Sequence, residues 1–424
     1  MYTVDRSKDQ PLKTQLYRAI RDRILDGSHP VGWRLPSSRE LAQQLGVSRL
    51  TVVEAYEQLT AEGYVVSCVG DGSYVAPGVG PIAGAATTKI LGSSSEEQQH
   101  PAEPFRPLGF RSDLIDFRTG LPELSSFPLT LWRRLTREVL DEITPKDLAY
   151  GEPQGIAELR HAIAAYLVGR RGLRCSAENI VVVAGTTQAA GLIAQLFASG
   201  KRSQVVVEDP VTADIRRILA SWGATCVPVP VDDHGLQTDL LPAELDPALV
   251  YVTPSHQYPL GGILPARRRL ELVQYARDRA SFVVEDDYDT EFRFTGSPVG
   301  SIQELAPDRV VYIGSFSKTI FPGLRVAFVV LPSEVIDRAR ETKWHADLHN
   351  PVIEQKVLTR FLQDGHFERH VQRSRRQLAR KREVLCSLLE ESLGDSVQIL
   401  GDAAGLHLAA RFLDVRFTDA FMAT

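Results

Sequence analysis

The chain has 424 residues, 43% of them hydrophobic and 24% charged, with a formal net charge of -5. It is too long for one ordinary core, which predicts two or three domains, and its composition is that of a soluble globular protein. No apolar run is long enough to span a bilayer, the polar start MYTVDRSKDQ is not a signal peptide, and the four cysteines, Cys68, Cys175, Cys226 and Cys386, lack disulfide or metal spacing. A cytoplasmic location is therefore expected.

The first segment reads as a compact helical unit. Leu12, Leu16, Ile20 and Ile24 recur every four residues and predict an amphipathic helix ending near Gly27. Ser37 with Glu40 forms a capping box for a second helix that carries Leu41 and Leu45. Gly46 stops it, and Ser48 caps a third helix with Val52, Ala55, Tyr56 and Leu59, running to Gly63. Two helices joined by a tight glycine turn form a helix-turn-helix. Tyr64 to Val69 and Ser73 to Val75 then predict two strands around Gly70-Asp71-Gly72, a wing.

In such a motif the start of the second helix enters the major groove, which makes Arg49, Leu50 and Thr51 candidates for base edges. Arg34 and Arg39 would hold phosphates, and Gly72 lets the wing backbone approach the minor groove. Acids and bases balance over the segment, but the arginines cluster on the presumed binding edge; a small helical bundle that binds protein is the competing reading. Leu35-Pro36-Ser37-Ser38-Arg39-Glu40-Leu41-Ala42, Val47-Ser48-Arg49-Leu50-Thr51-Val52 and Gly70-Asp71-Gly72-Ser73-Tyr74-Val75 resemble the winged helix of GntR-type bacterial regulators. The resemblance implies that Arg39, Arg49, Thr51 and the glycine tip touch operator DNA.

Residues 77–107 are rich in Gly, Ala, Ser and Pro and lack apolar periodicity, so they read as a linker between a head at 1–76 and a second domain at 108–424. Beyond it, buried apolar strands at Ile180-Val183, Val205-Val207, Leu249-Val252 and Phe282-Val284 alternate with helical patterns. That alternation predicts an α/β fold with a mostly parallel sheet, whose ligands sit beyond the carboxyl ends of the strands. Gly185-Thr186-Thr187 joins a strand to a helix from Ala189 to Phe197. It is either an ordinary capped turn or an anion site at a helix N-terminus.

Between the apolar runs Val310-Ile313 and Val326-Leu331 stand Ser315, Ser317, Lys318 and Arg325. A lysine beside core strands is costly unless neutral, and a neutral, desolvated amine is what condensation with a carbonyl requires. The serines and Arg325 suit a phosphate. An amine for an aldehyde beside donors for a phosphate describes pyridoxal phosphate (PLP); a strand-end lysine reaching to water is the alternative. Glu285-Asp286-Asp287-Tyr288-Asp289 crowds four carboxylates, so at least one is expected to meet a cation, and the pyridinium nitrogen of PLP is such a cation. No histidine lies near these acids in sequence, so no metal is expected there.

With Tyr150-Gly151-x-Pro153-x-Gly155, Gly185-Thr186-Thr187, Thr253-Pro254-Ser255-His256-Gln257-Tyr258-Pro259-x-Gly261, the acidic cluster and Ser315-Phe316-Ser317-Lys318, the second domain resembles fold-type I aminotransferases. A winged helix joined to such a domain is similar to the MocR-type regulators. The resemblance implies Lys318 as the Schiff-base lysine and Asp286, or its rival Asp287, as partner of the ring nitrogen. It places Tyr288 and a residue of His256-Gln257-Tyr258 at the phenolic oxygen, with Gly185, Thr186, Thr187, Ser315, Ser317 and Arg325 at the phosphate. It further implies a homodimer in which each head reaches its partner's large domain.

Two departures bear on chemistry. Val211, Thr212 and Asp214 stand where many relatives carry Gly-Tyr and an arginine, and the small subdomain ends at Thr424 without the arginine that grips a substrate carboxylate. Both favour a regulator that senses PLP or a small amino compound, with vitamin B6 homeostasis as one role. A working aminotransferase with an accessory head is the rival. The basic helix from His366 to Arg382 is expected to show solvent its arginines and to pack through Val371 and Leu378.

Overall fold

A computed structural model describes residues 2, 4–5, 10–68, 72–79, 119–200, 202–294 and 299–417. Residues 80–107 of the expected linker and Gly70-Asp71 of the wing tip lie outside them. The head comprises α1 (Leu12–Leu25), α2 (Ser38–Leu45), α3 (Arg49–Ala61) and the antiparallel wing β1 (Val65–Cys68) and β2 (Gly72–Val75). Ser37 accepts from the Glu40 amide while Glu40 closes the box on Ser37, and Gly46 ends α2 with φ 64°. Ser48 caps α3 by accepting from the Thr51 amide. These caps satisfy amides that a helix start otherwise leaves unpaired. Leu16, Ile20, Ile24, Leu41, Val52 and Leu59 form the buried centre.

The large domain follows in chain order with α4 (Leu129–Glu142), α5 (Ala157–Tyr166), β3 (Ile180–Val183), α6 (Thr186–Phe197), β4 (Gln204–Asp209), α7 (Ala213–Ser221), β5 (Thr225–Asp232), β6 (Gly235–Leu236), β7 (Leu249–Val252) and α8 (Ala266–Asp278). Then come β8 (Phe282–Asp287), α9 (Ile302–Leu305), β9 (Val310–Ser315), β10 (Ala327–Val330), α10 (Ile336–Asp347), α11 (Val352–Gln363) and α12 (His366–Leu393). A last pair, β11 (Val397–Leu400) and β12 (Ala409–Phe412), forms its own small sheet.

The main sheet has 8 strands in the order β3-β10-β9-β8-β7-β4-β5-β6. It is parallel from β5 to β9, as the alternation predicts, whereas β10 runs antiparallel to both β3 and β9 and the short β6 turns back on β5. Alternate residues of each strand serve opposite faces. Val181, Val205, Tyr251 and Ile313 pack under α6 and α7, while Ile180, Val182, Tyr312 and Phe328 pack with α4, α5 and α11. Helix α12 buries Phe367, His370 and Ser374 and shows Arg373, Arg375, Arg376 and Arg380 to solvent.

The resemblance implies a head lying on a partner; within this chain the head rests on its own large domain. Glu62, at the end of α3, accepts from the Tyr17 hydroxyl at 2.5 Å and from the Gly300 amide at 3.0 Å, and its carbonyl accepts from the Ala266 amide at 2.8 Å. Burial raises the Glu62 carboxyl above its ordinary value. Arg21 and Arg18 of α1 reach Glu304 of α9 at 2.6 and 3.1 Å, and the Arg21 and Glu304 side chains are only 2% and 4% exposed. A buried pair is strongly destabilised when one partner is removed and is near neutral when both are replaced by apolar groups. Arg21→Met is therefore expected to lower hydrogen-exchange protection of α1 by about 3 kcal/mol, and Arg21→Met with Glu304→Met to recover most of it. Equal losses in the two proteins would show that the ion pair does not hold the head.

Candidate cofactor site and DNA-binding edge

The reversed β10 builds the site. Ala327, its first residue, pairs with Val183 at the end of β3 on one side and with Ser315 at the end of β9 on the other. One strand start thus gathers the turn at Gly185, the segment after Ser315 and, two residues before Ala327, Arg325. Gly185 precedes α6 with φ 92° and offers no side-chain cap, and Thr186 and Thr187 begin the helix. A Cβ at Gly185 would stand 2.4 Å from the Arg325 guanidinium, so glycine is needed for that approach. Arg325, itself left-handed at φ 52°, donates to the Ala184 carbonyl at 2.6 Å. The helix α6 begins three residues earlier than its apolar pattern suggested, because the threonines continue the turn that Gly185 opens.

Lys318 leaves the turn after β9 and donates its amine to the Gly120 carbonyl at 2.7 Å. A Cβ at Gly120 would meet Nζ at 2.5 Å. Burial pushes this amine below its ordinary value, opposed by the charges of Asp289 and Asp286. Ser315 accepts from the Ser317 amide at 3.2 Å.

The four crowded acids are separated by the pleat. Asp286 faces Tyr251 of β7, whose hydroxyl donates at 2.5 Å, and burial raises its carboxyl to about 6. Asp287 turns to the other face, where Arg171 and Tyr312 donate to one oxygen, Tyr312 at 2.6 Å. Glu285, on that same face, accepts from Ser301 at 2.5 Å and from the Ile302 and Gln303 amides at 3.2 and 3.0 Å. Asp289 accepts from His256 Nδ1 at 3.0 Å. The expected cation is found, but it is Arg171 and it takes Asp287, which leaves Asp286 as the carboxylate on the side of Lys318.

Tyr288 donates to the His256 carbonyl at 2.9 Å, and its ring lies edge-on to Tyr258 with centroids 6.0 Å apart. Tyr258 meets Thr119 at 2.7 Å. His407 stacks on Tyr288 and brings a second imidazole to the cluster, so His256, Asp289 and His407 place one ligand atom each within 4.8 Å of one another. The sequence put no histidine near the acids; the fold puts two there. Arg171, Tyr251, Gly120 and His407 carry no local motif, and only the paired strands and the return of the chain at 401–407 bring them in.

The residues fit PLP. A depressed amine, a carboxylate of raised pKa, an uncapped helix start with an adjoining guanidinium and two serines stand at one sheet edge, and the glycines at 120 and 185 keep side chains out of it.

On the head, Arg39 and Arg49 are exposed at the ends of α2 and α3, and Leu50 is 66% exposed beside them. Arg49 Nε reaches Ser38 Oγ at 3.3 Å. Thr51 shares its hydroxyl with Ser48 at 2.8 Å, so the cap of α3 also holds the Thr51 side chain. Arg34 lies against the wing, 5.9 Å over the Tyr74 ring and beside Gly72, whose φ is 125°. Arg34 and Gly72 thus adjoin at the wing, Arg49 and Thr51 stand together at the start of α3, Arg39 is at the start of α2 beside Ser38, and Glu54 pairs with Lys13 at 3.2 Å.

Residues 12–75 match the gntR family of bacterial regulatory proteins and residues 112–414 match aminotransferase class I and II. The chain is 36% identical to the probable rhizopine catabolism regulatory protein MocR of Rhizobium meliloti, over 97% of this chain and 84% of that one. It is 34% identical to the HTH-type pyridoxine biosynthesis transcriptional regulator PdxR of Corynebacterium glutamicum, over 93% and 82%. The large domain superposes on the Pyrococcus horikoshii kynurenine aminotransferase with a TM-score of 0.66 and 28% identity, over 72% of this chain and 77% of that one. The chain belongs to the MocR-type branch of the GntR transcriptional regulators, with a DNA-binding head and a fold-type I aminotransferase domain whose cofactor is PLP.

Proposed function

We propose that this protein is a cytoplasmic, homodimeric regulator whose large domain, 108–424, senses PLP and reports it through the head, 1–76, with vitamin B6 homeostasis as its role. The observation that carries the reading is the Lys318 amine, depressed by burial and set on the same sheet edge as Asp286, Gly185 and Arg325. The likeness to PdxR, and the small Val211 and Thr212 in place of an aromatic, support the vitamin over an amino acid as effector.

When bound, PLP supplies an aldehyde and an electron-withdrawing ring. Lys318 is the amine that would condense with that aldehyde, releasing water, which requires the neutral form that burial favours. Asp286, with Tyr251 orienting its carboxylate, would keep the ring nitrogen protonated. Arg325, Ser315, Ser317, Gly185, Thr186 and Thr187 would hold the phosphate, at the positive end of α6. Tyr288, oriented by His256, and Tyr258 would serve the phenolic oxygen.

Transmission runs through β8. Glu285, next to Asp286, fastens the start of α9, and Glu304 of α9 holds Arg18 and Arg21 of the head. A shift at Asp286 is thereby passed to α1 through hydrogen-bonded groups. A ligand works such a switch only through a difference in affinity for its two arrangements.

Purified protein given PLP is expected to turn yellow and to yield a borohydride-fixed adduct at residue 318. Lys318→Ala should keep operator binding while losing its dependence on PLP; unchanged PLP dependence in that variant would sink the reading. Rapid conversion of an amino donor to its keto acid would instead support an enzyme.

Arg49→Ala is expected to weaken binding to the operator by about 1–3 kcal/mol through loss of a base contact, with little effect on non-specific DNA in a gel-shift titration. Equal weakening on both DNAs would place Arg49 on the phosphate backbone instead.

Asp286 gives a pH signature. Its carboxyl titrates near about 4 in the unfolded chain and at about 6 in the folded one. The folded state holds the proton more tightly, so the resulting stability is full below the lower value and is lost as pH rises through the upper one. Cofactor-free protein should lose thermal stability across that window, and Asp286→Asn should flatten the slope. A slope unchanged by the substitution would assign it to another group.

A further inference from the structure

Where the head meets the large domain, a cleft of about 530 Å³ opens between α1, α3, the turn at 169–172, the loop after β8 and the start of α12. Four of its lining side chains carry a buried polar atom with no hydrogen-bond partner: Arg171 Nε, Thr290 Oγ1, Arg293 Nε and Glu368 Oε2. Such atoms are rare in folded proteins, and each is costly. Arg171 is 8% exposed and spends its two terminal nitrogens on Asp287 and on the Val299 carbonyl at 3.2 Å, which leaves Nε as its spare donor. Arg293 makes no ion pair among the described residues. Burial presses its guanidinium below its ordinary value; the charges of Arg269 and Arg171 add to that push and the Glu62 carboxylate opposes it.

A half-buried guanidinium with an unpartnered Nε and no contacting carboxylate is costly to hold. We infer that this cleft binds a small oxyanion, of carboxylate or phosphate type, between Arg171 Nε, Arg293 Nε and the Thr290 hydroxyl. α1 borders the same space with Lys13 and Arg18, which pair with Glu54 and Glu304, so an anion there also lies against the head and fastens it to the large domain. The Glu368 oxygen is an acceptor on the same wall and suits a ligand that carries a hydroxyl beside its charge, as hydrogenphosphate does. Glu291 and Glu304, the other large-domain acids there, are occupied, the first by the Tyr166 hydroxyl at 2.7 Å and the second by Arg18 and Arg21. Thr290, Arg293 and Glu368 lie outside the cofactor site, and Arg171 joins the two, because its far end holds Asp287 beside Asp286.

The test uses the full chain loaded with PLP, titrated with inorganic phosphate and separately with acetate, each against chloride at constant ionic strength. A saturable rise in melting temperature is expected, together with slower hydrogen exchange in α1. Saturation by phosphate alone assigns a phosphate-type ligand, and saturation by both probes or by acetate alone assigns a carboxylate-type one; all these outcomes support the site. Arg293→Met should weaken the apparent affinity about tenfold or more, the loss of a charge-assisted donor, and Thr290→Val should weaken it less. If Arg293→Met does not fold, Thr290→Val carries the test alone. Cofactor absorbance should stay unchanged in both variants, so that failure here is distinguishable from failure of the PLP reading. No saturation beyond chloride, or an undiminished response in the folded variants, overturns the site, and binding without slowed exchange in α1 overturns its fastening role.

Discussion

The structure depends on the pleat of β8, which carries Glu285, Asp286 and Asp287 in succession through the middle of a buried sheet. Three adjacent carboxylates in a low dielectric would repel strongly if they shared a side. Alternation sends Asp286 to one face and its neighbours to the other, and each face supplies its own donors. Tyr251 pairs in register with Val284, two residues before Asp286, and so shares its face; Tyr312 pairs with Glu285 and so shares the face of Asp287. The phenols stand where the register of β7 and β9 puts them, and they solvate acids that water cannot reach.

That division also separates the acids. Asp286 lies on the side of the Lys318 amine, whose charge opposes the rise that burial gives its carboxyl, and it makes no ion pair among the described residues. Asp287 is neutralised by Arg171, and Glu285 is held by hydroxyl and amide donors at the start of α9. The strand that carries Asp286 is thereby attached, through its other face, to the elements that seat the head. The contact is small but highly charged. Glu62, Arg21 and Glu304 are all buried, so moving the head would expose or unpair them.

Backbone geometry contributes at two points where a side chain would fail. Gly120 and Gly185 both have positive φ, and at both a methyl group would enter the space of a functional nitrogen, that of Lys318 or of Arg325. The antiparallel β10 makes the second approach possible, since it starts where β3 and β9 end.

The sequence by itself determined the head in near-complete form, because capping boxes, helical periodicity and a glycine-bounded wing are all local signals: Ser37, Gly46 and Ser48 set α2 and α3 within a residue of their expected limits. It likewise determined the strand-and-helix alternation, the buried lysine and the glycine-threonine helix start, each of which is written in a few consecutive residues. It put Asp286 first with Asp287 as a close rival, because two adjacent acids differ only in the face they take and in what the neighbouring strands bring to that face. Only the tertiary structure gave the two different surroundings, by setting Arg171 and Tyr312 against Asp287 and Tyr251 against Asp286. The same holds for His407, for Gly120, for the seat of the head on α9 and for the cleft at Arg293. Their partners lie far apart along the chain, and contacts of that kind exist only once the sheet has been paired and the helices packed upon it.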